Sequence, residues 1–171
     1  LALRPGERLA VVGPSGAGKS TLGRLLAGVS PPRTGTVAVG GVPLVRLPLD
    51  ELRTHVALVT QEHHVFAGTV RENVALARPQ ARDREIRAAL AAVDASGWVD
   101  GLPLGLGTTI GSGGHALTAA QAQQLALARL VLADPHTLVL DEATSLLDPR
   151  AARHLERSLA AVLTGRTVVA I

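Results

Sequence analysis

The most constraining feature of the sequence is a glycine-rich loop between an apolar run and a helical pattern. Residues 13–20 read Gly-Pro-Ser-Gly-Ala-Gly-Lys-Ser, which matches the pattern G-x-x-x-x-G-K-[ST]. The loop follows a predicted buried strand, Leu9 to Val12, and opens a predicted helix, Lys19 to Ala27. Such loops bind phosphate because glycines let the backbone amides turn inward, and the helix N-terminus adds a favourable dipole. The sequence therefore predicts a nucleoside triphosphate site, with Lys19 on the β- and γ-phosphates and Ser20 on magnesium.

Two carboxylates follow a second apolar run. Thr137 to Leu140 predicts a buried strand, and Asp141 and Glu142 come directly after it. In a parallel sheet, ligands bind at the carboxyl ends of the strands. We expect Asp141 to hold magnesium, directly or through water, and Glu142 to polarise the water that attacks the γ-phosphate. A solvated acidic turn is the alternative interpretation, which the phosphate loop disfavours.

Strand and helix patterns alternate along the chain. The order is strand, helix, hairpin, strand, helices, strand, helix and strand, which predicts an α/β domain with a mainly parallel sheet. The helix-rich stretch from about residue 70 to residue 133 predicts an inserted helical subdomain. Within it, Asp83 is expected to cap a helix that extends to Val93, and Thr118 one that extends to about Ala133. The other predicted elements are a hairpin over 36–45 centred on Gly40-Gly41, strands over 56–60 and 167–171, and a helix from about 148 to 163.

Composition excludes several classes of function. The chain has 171 residues and no cysteine, which excludes a thiolate metal site and a cysteine nucleophile. One Phe, one Trp and no Tyr argue against an aromatic platform for single-stranded nucleic acid. The net charge is +3, and the arginines are scattered between Arg4 and Arg166 rather than clustered. We therefore attribute the basic balance to the composition of the genome rather than to a binding surface, and we expect no nucleic-acid partner. The sequence has no apolar run of about 20 residues, and we expect the chain itself to be soluble.

Three further motifs follow along the chain. Gln61 lies in Val-Thr-Gln-Glu, residues 66–73 read Phe-Ala-Gly-Thr-Val-Arg-Glu-Asn, and Ser-Leu-Leu-Asp occupies 145–148. With the phosphate loop and Asp141-Glu142, these segments resemble the nucleotide-binding domain of ABC transporters over nearly the whole chain. The resemblance implies a P-loop NTPase of RecA-like core that binds ATP and Mg²⁺. The ATP-binding residues would be Gly13, Pro14, Ser15, Gly16, Ala17, Gly18, Lys19, Ser20 and Thr21.

The resemblance also implies roles outside the phosphate loop. Gln61 would contact magnesium and the attacking water and report to a membrane domain, and it would join Lys19 and Glu142 as a catalytic residue. Ser145 and Asp148 would belong to the family's D-loop. The segment 66–73 is similar to that of exporters rather than importers.

The signature motif departs from the family pattern. The family has L-S-G-G-Q, and this chain has Leu117, Thr118, Ala119, Ala120 and Gln121. Ser112 replaces the acidic residue that exporters carry in T-x-V-G-E. In the family, two domains pair head to tail, and each signature closes the partner's phosphate loop. Alanine adds a methyl group there, and about 1–2 kcal/mol of strain if the position needs a left-handed backbone.

These departures predict an asymmetric assembly. The chain's own phosphate loop looks competent and its signature impaired, so we expect a non-identical second nucleotide-binding domain as partner. A tolerated Ala-Ala signature is the alternative. The resemblance further implies a transmembrane domain in the same polypeptide and a place on the cytoplasmic face of a bacterial cell membrane. The 1–171 chain would then be one domain truncated at both ends, with weak or no activity in isolation.

Three other functions compete with an ATP-hydrolysing export motor. An ABC ATPase acting on DNA would have a coiled coil between the loop and the signature, whereas the interval from Lys19 to Leu117 has no heptad pattern. A soluble ABC protein of translation is disfavoured by the exporter-like segment. A regulatory subunit that binds ATP without hydrolysis fits the altered signature but not the retained Lys19, Asp141 and Glu142. The six histidines lack metal-ligand placement and are interpreted as surface or packing residues.

Overall fold

The computed structural model describes residues 1–60, 63–141 and 162–171. These residues form two compact units. The first unit comprises 1–60, 135–141 and 165–171, and the second comprises 63–134 and 162–164. None of the described helices combines the length and the apolar character that crossing a membrane requires.

A four-stranded parallel sheet forms the centre of the first unit. Its strands are β1 (Arg8–Ala10), β4 (Val56–Val59), β7 (Thr137–Leu140) and β8 (Thr167–Ala170), in the spatial order β1-β8-β7-β4. The register pairs Arg8 with Val168, and Thr137 with both Thr167 and Val56. All pairs are parallel, so the carboxyl ends of the strands lie at one edge of the sheet. The predicted α/β architecture with a mainly parallel sheet is confirmed.

Helix α1 (Lys19–Leu26) packs closely on this sheet through a glycine. A Cβ added at Gly23 would lie 2.8 Å from Ile171 Cδ1 and 3.3 Å from Val139 Cγ1, so a larger residue would require both side chains to shift. The helix ends at Leu26, and Gly28 just beyond its C-cap has a φ of +69°, which allows the left-handed turn. The Gly28 amide donates to Leu25 O and the Val29 amide to Arg24 O, which closes the last turn. Ala27, Val139 and Val169 are buried in the core of this unit.

A short hairpin and a further helix complete the first unit. Strands β2 (Ala38–Val39) and β3 (Val42–Pro43) pair antiparallel across Gly40 and Gly41, which both have positive φ. The predicted hairpin is therefore confirmed, with shorter strands. It leads into a 3-10 turn, Leu44–Arg46, and helix α2 (Leu49–His55).

The second unit is helical. Its elements are the short strands β5 (Gly68–Thr69) and β6 (Thr109–Ile110), which pair antiparallel, a 3-10 turn at Gly105–Gly107, and helices α3 (Val70–Ala75), α4 (Asp83–Ala92), α5 (Ser96–Asp100) and α6 (Ala119–Ala133). Helix α6 packs against α3 and α4. Ile86, Leu90 and Leu125 are almost fully buried in a separate core.

The start of α4 corrects one prediction. Asp83 is the first helical residue rather than the cap, and Arg82 occupies the N-cap position. The Arg82 amide donates to Glu85 Oε2 at 2.8 Å, so the glutamate three residues on fixes the helix start. The Asp83 carboxylate pairs with Arg71 instead. The predicted helix over 148–163 lies outside the described residues.

Candidate functional site

The phosphate loop connects β1 to α1 and depends on two glycines for its shape. Gly16 and Gly18 have φ of +79° and +87°, in the left-handed region that favours glycine. A Cβ added at either position would meet nothing within 4 Å, so the requirement is one of backbone conformation rather than of space. Gly18 is also the N-cap of α1, and its carbonyl accepts from the Leu22 amide at 2.9 Å. The first amides of α1 therefore adjoin the loop and have no acceptor within the helix.

Lys19 is held over this loop by the loop's own carbonyls. Its Nζ donates to Gly13 O at 2.8 Å and to Pro14 O at 2.9 Å. An ammonium has three N–H donors, so these bonds leave one for an incoming acceptor. The side chain is half-buried, whereas the glycines around it are exposed. This places a positive charge at a surface of backbone amides, which is the chemistry that binds a phosphate group.

Ser20 and Asp141 meet beside the loop although they lie far apart in the sequence. Ser20 Oγ donates to Asp141 Oδ1 at 3.2 Å. Asp141 directly follows β7, and its amide donates to Val59 O at the end of β4 at 2.8 Å. A hydroxyl and a carboxylate are hard oxygen ligands of the kind that magnesium prefers, and the pair adjoins the phosphate loop. The donor set therefore fits a nucleotide-bound Mg²⁺.

The remaining predicted catalytic residues fall outside this description. Gln61, Glu142, Ser145 and Asp148 lie outside the described residues, so the structure neither joins them to the site nor separates them from it. In the described chain, no group of three or more His, Cys, Asp or Glu side chains is placed to hold a metal ion of its own.

The altered signature forms the start of α6. Thr118 is the N-cap, and its Oγ1 accepts from the Gln121 amide at 3.2 Å. Gln121 Oε1 in turn accepts from the Thr118 amide at 2.9 Å, which completes a reciprocal capping box. Ala119 and Ala120 are the first helical residues and are exposed, whereas Leu117 is half-buried.

The backbone of the two alanines settles the question of strain. Among the described residues, the non-glycine positions with positive φ are Asp94 and Asp134. Ala119 and Ala120 lie in right-handed helix, so the condition under which alanine would add left-handed strain is not met in this structure. The substitution leaves only the two methyl groups to be accommodated by whatever approaches the helix start.

The loop before the signature packs tightly on the segment after Gln61. Gly111 has a φ of +80°, and a Cβ added there would lie 2.7 Å from Phe66 O. A Cβ at Gly114 would lie 2.6 Å from Thr109 O. Ser112, at the position of the family's acidic residue, is exposed between these two glycines.

Sequence reasoning missed a polar cluster in the second unit, formed by His64, Phe66, Asn73 and Arg129. Asn73 is 1% exposed. Arg129 donates three hydrogen bonds to this neighbourhood and lies over the Phe66 ring, 5.3 Å from its centroid. Burial lowers the pKa of the Arg129 guanidinium below its usual range. The available sequence signal was a lone cation in the apolar run 125–133.

The strand–loop–helix geometry, with Lys19 over the loop and Ser20 against Asp141, defines an α/β nucleotide-binding domain of the P-loop class. The sequence profile of the ABC transporter family matches residues 1–145, and the chain belongs to that family. It is 42% identical over 171 residues to the ATP-dependent lipid A-core flippase of Chromobacterium violaceum. It is 39% identical over 173 residues to the ABC multidrug transporter MDR2 of Trichophyton equinum, and 38% identical over 171 residues to ABC transporter B family member 21 of Arabidopsis thaliana. These alignments take in 100% of the chain but 29%, 13% and 13% of the respective relatives.

Proposed function

We propose that this chain is the ATP-binding and ATP-hydrolysing motor domain of an ABC exporter. The observation that carries the proposal is the phosphate loop, with Lys19 and the Ser20–Asp141 pair at the carboxyl ends of parallel strands. Relatives named as an ATP-dependent flippase and a multidrug transporter support export as the use of that energy.

The residues have separate tasks in this proposal. The loop amides and Lys19 bind the phosphates, and Ser20, Asp141 and Gln61 would hold Mg²⁺. When bound, Mg²⁺ neutralises charge on the β- and γ-phosphate oxygens. Glu142 accepts a proton from the attacking water, which Gln61 helps to orient. This assignment of Gln61 and Glu142 rests on sequence alone.

The complete machine requires partners. We infer a second nucleotide-binding domain that pairs with this one when ATP binds, and a transmembrane domain in the same polypeptide on the cytoplasmic side of the membrane. The alignments support this, because the chain spans less than a third of the length of the transporters it matches.

The signature supports an asymmetric pair. Ala119 and Ala120 are exposed at the start of α6, where two methyl groups restrict how closely a partner's nucleotide approaches the backbone amides. Alanine also favours helix over glycine by about 1 kcal/mol per residue, so the substitution stiffens the helix start. One site would combine this chain's phosphate loop with the partner's signature, and the other would use the altered signature.

Replacing Lys19 by alanine tests the proposed nucleotide site. Loss of a charged hydrogen-bond donor costs about 1.5–3 kcal/mol, which is roughly a tenfold to hundredfold rise in the Kd for ATP. The measurement is binding of a fluorescent ATP analogue to the full transporter with a catalytically silenced partner site. Arg53→Ala, at an exposed arginine of α2, is the matched control and should leave the Kd unchanged. Equal Kd values for the Lys19→Ala variant and the unmodified protein would contradict the phosphate-loop assignment.

Restoring both signature glycines tests the proposed asymmetry. The Ala119→Gly/Ala120→Gly double variant should raise ATP turnover at the affected site, and a barrier lowered by about 1.4 kcal/mol gives a tenfold increase. Turnover is measured in the assembled transporter with the other site inactivated. Ala122→Gly is the control, because it introduces the helix-propensity cost of glycine into α6 without changing Ala119 or Ala120. Unchanged turnover in the double variant would mean that the Ala-Ala signature is tolerated.

A regulatory ATP-binding subunit is the second candidate, favoured by the same Ala119-Ala120 pair. It predicts ATP binding with no hydrolysis at either site in the assembled transporter, even after both glycines are restored.

A further inference from the structure

Asn73 fastens the segment that follows Gln61 to helix α3. Its Oδ1 accepts from the Phe66 amide at 3.0 Å, and its Nδ2 donates to Phe66 O at 2.9 Å and to Thr69 O at 3.0 Å. The side chain therefore bonds the main chain of Phe66 in both directions. Because Asn73 is 1% exposed, these bonds are made away from competing water. The segment 63–68 is thus held at a defined position on the second unit.

Arg129 fastens the same segment to helix α6. Its Nη1 donates to His64 O at 2.7 Å, its Nη2 to Asn73 Oδ1 at 2.8 Å, and its Nε to Asn73 O at 2.8 Å. The guanidinium also lies over the Phe66 ring, and the His64 ring meets the Phe66 ring edge-on at a centroid distance of 4.5 Å. All of these contacts are to the segment 63–68 or to the helix that anchors it.

If residue 129 served only to fill space in the core, an arginine would be energetically unfavourable there. Arg129 is half-buried, and taking a guanidinium partly out of water costs free energy that a leucine or methionine at the same place would not incur. Unlike an aliphatic side chain, the planar fork of arginine bonds several acceptors in fixed directions. The chemistry therefore suits positioning one segment relative to another better than it suits filling a core.

The cluster connects two regions that matter for the proposed motor. On one side, Phe66 is 47% exposed within a few residues of Gln61. On the other, α6 begins at the signature, with about 15 Å of helix between Ala119 and Arg129 at about 1.5 Å per residue. The close contact of Gly111 with Phe66 O provides a second tie, through the loop that leads into Thr118.

We infer that Arg129 is a positioning residue that transmits displacement of the segment 63–68 to the signature at the start of α6. The inference rests on the proposed function, because it makes this segment the surface on which the membrane domain acts. Its consequence is that the movement of the membrane domain and closure over ATP are linked through the Arg129–Asn73 contacts.

The test compares Arg129→Gln and Arg129→Lys in the full transporter, assembled with its partner and reconstituted in liposomes. Arg87→Gln is the matched control, since Arg87 is an exposed arginine of the same unit that bonds Asp100 at 3.0 Å. Closure is measured as ATP retained after rapid dilution in a Glu142→Gln background. The membrane response is measured as ATP-dependent labelling of a cysteine placed in the transmembrane domain, and this chain contributes no cysteine of its own.

We expect Arg129→Gln to lower the membrane response per retained ATP by about tenfold, while the Kd for ATP stays within about twofold. Arg129→Lys should lie between, because it keeps the charge but not the planar fork. Two outcomes would contradict the inference. In the first, the membrane response and the ATP retention of Arg129→Gln fall together, in proportion to a lower melting temperature. In the second, Arg129→Gln behaves like Arg87→Gln. Should Arg129→Gln fail to assemble, the same criteria apply to Arg129→Lys. A transporter with intact Arg129 that neither binds nor hydrolyses ATP would instead disprove the proposed function, and the inference with it.

Discussion

At the residue level, the candidate nucleotide site depends on where a buried strand ends. The Asp141 amide bonds Val59 O, which fixes the residue at the edge of the sheet, and its carboxylate then reaches Ser20 at the start of α1. The Asp141 carboxylate therefore lies where the proposed Mg²⁺ would bind. The next residue, Glu142, is left to act on water in the mechanism proposed above.

Replacing Glu142 by glutamine should separate ATP binding from hydrolysis. Glutamine keeps the size and hydrogen-bonding capacity of the side chain but cannot accept a proton, so we expect ATP affinity to be retained and turnover to fall by about 100-fold or more. Phosphate release by the assembled transporter is the measurement. Glu51→Gln, at an exposed acid of α2, should leave turnover unchanged. Undiminished phosphate release from the Glu142→Gln variant would show that Glu142 is not the base of a working site.

Individual residues differed in how far the sequence could predict them. The pattern around Lys19 and Ser20 is local, and Asp141 follows from the rule that ligands bind at the ends of parallel strands. The Arg129–Asn73 bonds join residues 56 positions apart, and no local pattern encodes such a pairing. The helical backbone of Ala119 and Ala120 also required the structure, because their place in α6 depends on Thr118 capping the helix.

At the level of elements, the starts of α3 and α6 are defined by reciprocal side-chain bonds. Thr118 with Gln121, and Thr69 with Glu72, each form a capping box. At α3 the Thr69 amide bonds the Glu72 carboxylate at 2.7 Å, and this bond lowers the pKa of Glu72. Each box fixes the first turn of its helix, and at α6 that turn carries the signature.

Replacing Thr118 by alanine should destabilise the start of α6. Loss of an N-cap hydroxyl costs about 0.5–2 kcal/mol, since the Gln121 amide loses its acceptor. The measurement is the urea midpoint of unfolding with an unchanged m-value. Thr118→Ser keeps the hydroxyl and is the control, which should lose much less. Equal losses in both variants would indicate that the methyl group, and not the cap, stabilises this helix.

The long helices and the buried strands were predictable, whereas the short helices were not. The capped, periodic helices α4 and α6 and the four buried strands were recognised within a few residues of their observed ends. Helices α2, α3 and α5 went unpredicted because five to seven residues show too little of a 3.6-residue period. In these three segments, tertiary contacts rather than the local sequence pattern determine that the chain is helical.

At the scale of the whole molecule, nucleotide binding should stabilise the folded chain. A ligand that binds only the folded state adds RT ln(1 + [L]/Kd), about 2.7 kcal/mol at a concentration of 100 Kd. For a chain of this size that is roughly a 5–10 °C rise in the melting temperature. Calorimetry with MgATP measures it, and Lys19→Ala should reduce the rise to about half or less at the same ATP concentration, because its Kd is roughly tenfold to hundredfold higher. A rise of equal size in the Lys19→Ala variant would place the nucleotide elsewhere.

The sheet order has a consequence for synthesis on the ribosome. Strand β1, which leads into the phosphate loop, pairs with β8, and in the described part of the chain it has no other strand beside it. Its anchoring therefore waits for residues 167–170, which are translated last of the four strands. Pairing over such a separation forms slowly and after local structure. Until β8 has been made, the nascent chain should accordingly expose an unsupported phosphate loop, and ATP can assist folding of this unit only after that point.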